Sequence, residues 1–423
     1  MTPRPPLVEP IVRPLPRPGA ILRHAFGHNL ANGFSAFLFA AAGPGAMILA
    51  VGAAADLPPA HIAAWLFAAY GFSGILSIAV CFLYRQPLAF GYSMPAVVIV
   101  GPALGSYPLP ELVGAYLATG ALILLLALTG LVRRATAALP EPIAMAMVAG
   151  VFLPFGLRLV GAFDSGPWIA GAMAAAYLVS AAAPALRKRL PPLLAALVAG
   201  ALTVIATGEF NPPADMALHM ASPVFFMPVF RIEALVEFVL PLTVTVVAIH
   251  NIQGFAILRN AGFAPPERLS TLLCGGGTFL YGVMGSVPTV VTGPANAILN
   301  ISGAREWRFV GGMWFGLFFI LFGVFAPTAV QLGGAVPIAF IAGLAGLAML
   351  PVLQSAFVES FRGAFTFGAL VTFLVTTSGV EILGIGSAFW GLVFGYAVSR
   401  LVERQDFRQA ADARAGLKKA AGT

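Results

Sequence analysis

Apolar stretches of membrane-spanning length, about 20 residues each, recur along most of the chain, and that recurrence limits its fold more than any other feature. Lipid offers backbone N–H and C=O groups no hydrogen-bond partner, so spanning segments must be helices or a closed barrel. The runs Ala146–Phe155, Ala170–Ala183 and Leu193–Ala206 are continuous and lack the period of two that barrel strands show. Helices are therefore expected. Composition agrees: 59% of the 423 residues are hydrophobic and 9% are charged, against about 25% charged in soluble domains.

Full or partial spans are expected near 28–52, 62–83, 93–105, 111–132, 141–157, 166–185, 191–208, 233–257, 269–284, 288–300, 309–330, 333–353, 364–378 and 381–399. The expected fold is an all-α polytopic membrane protein of about fourteen segments. The net charge of +7 does not point to nucleic acid, because the basic residues form no patch or stripe. They lie at the termini and in short loops. With the N-terminus in the cytoplasm, as Arg4, Arg13, Arg17 and Arg23 suggest, alternation puts Arg85, Arg133, Arg134, Arg187, Lys188, Arg189, Arg259, Arg268, Arg305, Arg308 and Arg362 inside. Only Arg158 and Arg231 fall outside, so the positive-inside rule favours this topology with both termini cytoplasmic. Residues 1–19 are rich in Pro and Arg without an early apolar core, unlike a cleavable signal peptide. Cys81 and Cys274 each lie in an apolar stretch and read as packed thiols.

The Pro-rich stretch 209–230 divides the chain into halves of about seven spans, an odd number, which makes the halves an inverted repeat. Two short segments stand at corresponding places, in the third and tenth spans. One reads Ser93-Met94-Pro95-Ala96-Val97-Val98 with Gly101-Pro102-Ala103 following. The other reads Ser286-Val287-Pro288-Thr289-Val290-Val291 with Gly293-Pro294-Ala295 following. Both are too short to cross the bilayer as helix alone. A proline disfavours helix at the residue before it. The chain is therefore expected to be extended up to Pro95 and Pro288, as short strands, with half-helices starting at the prolines. Two helix N-termini inside the membrane, each with about half a positive charge and free N–H groups, suit an anion or the acceptors of a polar ring. Matched broken helices are the sequence sign of a transporter site.

Polar residues within the apolar runs complete the candidate site. His250, Asn251 and Gln253 lie in the eighth span, and His250 has the one side chain whose ordinary pKa falls near neutrality, so it can relay a proton or simply brace helices. Tyr92 and Ser93 precede the first half-helix and offer an aromatic wall and a hydroxyl. Asn32 and Ser35 share a helix face one turn apart. The binding set is thus Asn32, Ser35, Tyr92, Ser93, Met94, Pro95, Ala96, Val97, His250, Asn251, Gln253, Ser286, Val287, Pro288 and Thr289, with His250 as the proton site. Glu237 reads as interfacial. No catalytic triad, Cys/His metal spacing or phosphate loop is present, so neither enzyme, cofactor, metal nor ATP-driven pump is expected.

Three stretches resemble the benzoate–proton symporter (BenE) family. They are Val371-Thr372-Phe373-Leu374-Val375-Thr376-Thr377-Ser378-Gly379-Val380 continuing through Leu383-Gly384-Ile385-Gly386-Ser387-Ala388-Phe389-Trp390, then Tyr84-Arg85-Gln86-Pro87 leading to Ser93-x-Pro95, and Asn251-x-x-Gly254 with Leu258-Arg259-x-Ala261-Gly262. The resemblance spans about residues 28–399. It implies a fold similar to nucleobase permeases such as the uracil–proton symporter and to the anion exchangers, in two inverted sevens. It also implies a core domain from 28–136 and 231–331 and a gate domain from 137–208 and 332–399. Residues 209–230 would connect them outside, and 1–27 and 400–423 would be cytoplasmic tails. The expected activity is proton-coupled symport of a small aromatic or other organic carboxylate across a bacterial inner membrane. Expected partners are a small organic anion, H+ and the lipid bilayer, with a homodimer an open option. The eighth span here reads Ile249-His250-Asn251-Ile252-Gln253-Gly254, and nucleobase permeases place a glutamate where His250 falls. A nucleobase permease and an anion channel therefore stay as alternatives.

Overall fold

The computed structural model describes residues 8–11, 14–130, 139–184, 190–213, 217–382 and 386–410. Arg4, Arg13, Arg133, Arg134, Arg187, Lys188, Arg189 and the motif residues Leu383, Gly384 and Ile385 lie outside them, as does 411–423. After a short helix α1 (Pro18–Arg23) come α2 (His28–Ala54) and α3 (Pro59–Tyr84). Strand β1 (Phe90–Tyr92) leads into α4 (Met94–Ala103), followed by α5 (Leu109–Thr129), α6 (Glu141–Ser165), α7 (Pro167–Ala182) and α8 (Pro192–Ala206). Beyond the connection come α9 (Ile232–Asn260), α10 (Glu267–Gly282), strand β2 (Thr289–Val291), α11 (Gly293–Leu299) and α12 (Arg308–Val324). Then follow α13 (Ala326–Gly334), α14 (Ile338–Phe361), α15 (Thr366–Ser378) and α16 (Ser387–Val402).

By length and composition, 7 of these helices are apolar enough to cross a membrane, and α4, α7, α8, α15 and α16 are shorter apolar helices. Leu125, Leu157, Val160, Leu178, Leu202 and Leu374 stay exposed on them, as side chains that meet lipid would. The expected span 309–330 is broken: α12 ends at Val324 and α13 starts at Ala326, with Pro327 in its first turn, where a missing N–H costs nothing. The expected spans 141–157 and 333–353 run on as helix to Ser165 and Phe361.

Two packing groups emerge. Helices α2 to α5 pack with α9 to α12, while α6 to α8 pack with α14 to α16. Close approach in the first group rests on small residues, the means by which helices associate where lipid is as apolar as the side chains. Gly74 of α3 and Gly316 of α12 face each other so closely that a Cβ at Gly316 would lie 2.6 Å from the Gly74 carbonyl oxygen.

Candidate functional site

The two strands meet inside the first group. They pair antiparallel, Phe90 opposite Val291 and Tyr92 opposite Thr289, and the pairing extends one step each way. The Ser93 N–H donates to Pro288 O at 3.0 Å and the Thr292 N–H to Ala89 O at 3.0 Å. A two-stranded sheet leaves outward N–H groups that lipid cannot satisfy. Side chains satisfy them here. Ser77 Oγ of α3 accepts the Phe90 N–H at 2.8 Å, and Asn251 Oδ1 of α9 accepts the Val291 N–H at 3.0 Å. Thr278 of α10 takes the Thr289 N–H, and Asn296 of α11 takes the Ala89 N–H.

A helix starts immediately beyond each strand. Ser93 caps α4, its Oγ accepting the Ala96 N–H at 3.3 Å, with Pro95 in the first turn. The second half differs from expectation. Pro288 does not open a helix: it lies outside any helix and precedes β2, and α11 starts at Gly293 with Pro294 in its first turn. After α10 ends at Gly282 the chain must reverse, and Gly285 turns it with a φ of 77°. Ser286, Val287 and Pro288 complete that reversal, and β2 runs on from Thr289. Thr292 occupies the N-cap position that Ser93 holds in the first half. The structural counterparts are therefore Ser93-Met94-Pro95-Ala96 and Thr292-Gly293-Pro294-Ala295, and the matched Gly-Pro-Ala triplets sit at the end of one helix and the start of the other.

Helix α9 crosses both junctions. The Ser93 hydroxyl donates to Thr245 Oγ1 at 2.9 Å, and Asn251 holds Val291. Between them, Thr245–His250 forms a π-helical turn, a wide-turn irregularity often found at functional sites. His250 ends this turn. It is 7% exposed, and neither ring nitrogen has a hydrogen-bond partner among the described residues. The Asn251 amide nitrogen is likewise buried and unpartnered. One residue type per position matters at Gly254, where a Cβ would lie 2.6 Å from Val291 Cγ1.

The other predicted residues divide. Met94, Ala96 and Val97 are buried in the first turn of α4. Gln253 is exposed on α9, and its Oε1 lies where a Cβ at Gly293 would meet it at 2.6 Å. Tyr92 does not stand free as a wall: its hydroxyl lies 3.0 Å from that of Tyr70. The Tyr70 hydroxyl donates to Ala40 O at 2.7 Å. Pro44, four residues on in α2, has no N–H to give that carbonyl. Asn32 is removed from the strands, since both its amide atoms bond Ser302 at 3.2 Å. Ser35 lies a turn further along α2, partly exposed.

A cleft of about 500 Å3 separates the two packing groups, bordered by Val98, Ile99 and Pro102 of α4, Gly150 and Arg158 of α6, and Thr376 of α15. It stops at Val98, one residue short of the predicted set. At its rim the Tyr107 hydroxyl donates to Glu237 Oε2 at 2.8 Å. Burial, together with that carboxylate, pushes the Tyr107 phenol above its usual range. The sequence reading missed Ser77, Thr245, Thr278, Thr292 and Asn296. Each is a polar residue in an apolar or glycine-rich run, which was the available signal.

A family model described as Benzoate membrane transport protein matches residues 26–401. The Inner membrane protein YdcO of Escherichia coli (strain K12) is 29% identical over 381 residues, covering 88% of this chain and 96% of that protein. The Benzoate membrane transport protein of Acinetobacter baylyi is 28% identical over 372 residues, covering 86% and 92%. Among solved structures, SLC26A9 aligns with a TM-score of 0.59 at 13% identity over 89% of this chain, which spans 64% of that protein's length. The transmembrane domain of the cyanobacterium bicarbonate transporter BicA aligns with a TM-score of 0.55 at 16% identity, covering 88% of this chain and 97% of that domain. At such identities the likeness is one of fold.

Proposed function

The chain belongs to the benzoate membrane transport protein (BenE) family, and from that premise we propose that it is a proton-coupled secondary transporter of small organic carboxylates, aromatic ones such as benzoate among them. Membership makes it a multi-pass membrane protein of a transporter family, which supports reading it as a transporter and no enzyme. The carboxylate and the proton are our reading. The carrying observation is His250, buried with both ring nitrogens unpartnered, on α9 between its bonds to the two strand–helix junctions. An unpartnered ionisable group at membrane depth is costly and is retained where a ligand or proton completes it.

In this reading the carboxylate sits against the first turn of α4, where the Met94 N–H and the helix dipole favour negative charge. His250 and the free Asn251 amide donate to it, and His250 carries the coupled proton. The two packing groups are then a core, carrying the site, and a gate. About fourteen segments form two inverted sevens with both termini inside, and the cleft opens outward. Benzoate transport by the Acinetobacter relative and the anion-transporter fold support this choice over a nucleobase permease.

Uptake of labelled benzoate into proteoliposomes, with acid outside, tests it. Saturable, gradient-driven uptake competed by other aromatic carboxylates is expected. Competition by uracil or xanthine but not by benzoate would select a nucleobase permease, and non-saturating flux a channel.

A further inference from the structure

Arg158 breaks the positive-inside pattern. In the topology proposed above only it and Arg231 fall on the outer side, where basic residues are scarce. Arg231 has a structural reason to be there: Glu111 and Glu233 pair with it, each at 3.2 Å. Arg158 has no ion pair among the described residues. Its guanidinium carbon lies 5.6 Å from the centre of the Phe155 ring, about one turn back on α6. The residue is exposed and borders the cleft between the two packing groups.

That cleft has the make-up of a small-molecule site. Its volume of about 500 Å3 lies within the roughly 300–1,000 Å3 usual for such sites, which are mostly apolar with a few polar groups. Val98 and Ile99 of α4 border it from one packing group, and Phe155 and Phe389 from the other. Among the described residues the charged ones bordering it are Arg158, Glu237 of α9 and Glu381 in the link between α15 and α16. Glu237 already accepts the Tyr107 hydroxyl. Arg158 offers a planar fork of N–H donors that matches a carboxylate through two parallel bonds. Apolar walls strengthen that attraction over what open water allows.

We infer that the cleft is an outer docking site for an aromatic monocarboxylate, with Arg158 binding the carboxylate and the apolar walls holding the ring. One cation against two carboxylates also sets the charge of the ligand. A monoanion pairs with Arg158. A second carboxylate on the ring meets Glu237 and Glu381, and that repulsion rejects dicarboxylates such as phthalate. The docking site is separate from the first turn of α4, because the cleft stops at Val98, a full turn beyond Met94. The inference rests on the carboxylate transport proposed above. It adds where the solute is first held and which charge is admitted.

Uptake of labelled benzoate by the full chain in proteoliposomes tests it, with phthalate as competitor. The outside is held at about pH 7 and the lumen more alkaline, so that both carboxylates of phthalate are ionised. Arg158→Gln is expected to raise KM at least about tenfold, the loss of a charge-assisted contact. The maximal rate should stay within about twofold, as when binding alone is lost. Arg158→Lys keeps the charge without the fork and should fall between parent and Arg158→Gln. Glu381→Gln should lower the inhibition constant of phthalate by at least about threefold more than it lowers the KM for benzoate. In a parent that carries benzoate, three results each overturn the docking site and leave the transport reading standing. They are an unchanged KM in Arg158→Gln, a fall in its maximal rate alone, and equal shifts for phthalate and benzoate in Glu381→Gln. A parent that carries no aromatic carboxylate overturns the transport reading itself, and the docking site with it.

Discussion

Asn251 and Val291 are joined by a buried hydrogen bond, the side-chain Oδ1 of one accepting the backbone N–H of the other at 3.0 Å. The bond fixes α9 against β2 and so places His250 beside the crossed strands. Asn251→Ala leaves the Val291 N–H buried without an acceptor, at a cost of about 1–3 kcal/mol. We expect a lowered thermal unfolding midpoint in detergent and loss of uptake. An unchanged midpoint would mean that other contacts hold the strand.

His250 should behave in the opposite way. His250→Leu removes two unpartnered ring nitrogens from a buried position, where unmet polar groups cost about 1–3 kcal/mol each. Thermal stability should hold or rise while gradient-driven uptake falls at least about tenfold. A variant that is less stable yet fully active would show His250 to be a brace.

Tyr92 is tied to Tyr70 rather than left open to the site. Tyr92→Phe should cost about 0.5–1.5 kcal/mol, because Tyr70 keeps its bond to Ala40. Tyr70→Phe should cost more, since it strands both Ala40 O and the Tyr92 hydroxyl. In Tyr92→Phe the apparent substrate affinity should change less than about threefold. A much larger change in affinity, measured by competition, would place the hydroxyl on the solute.

Gly316 tests the packing of α12 on α3. A side chain there meets the Gly74 carbonyl and Ile78, so Gly316→Val should overpack the pair by about 1–3 kcal/mol. Thermal unfolding in detergent checks it. Gly334, where a Cβ would have nothing within 4 Å, is the matched control and should tolerate Ala.

The helices were legible because apolar runs of spanning length admit little else in lipid. The start of α4 was legible too, since Ser93 and Pro95 are a cap and a first-turn proline in the expected places. The second junction was misplaced by five residues, from Pro288 to Gly293. The letters Ser-x-Pro-x-Val-Val repeat, but Val290 and Val291 continue a strand whereas Val97 and Val98 continue a helix. Two valines carry too little periodicity to tell these apart. What decides is the reversal after Gly282, a tertiary demand. The bond from Asn32 to Ser302 and that from Ser93 to Thr245 join residues remote in sequence, so one chain read in order could name each as polar and out of place but could not pair them.

The crossed strands also impose an order on synthesis. Phe90 pairs with Val291, about 200 residues later, and backbone groups unmatched in hydrocarbon cost several kcal/mol each. When the first half has emerged from the ribosome, β1 has Ser77 for one N–H and nothing for its inner edge. The first half therefore cannot settle as a finished unit while the second is still being made. Insertion must hold the segment around Phe90–Tyr92 near water, or sheltered by the insertion machinery, until β2 arrives.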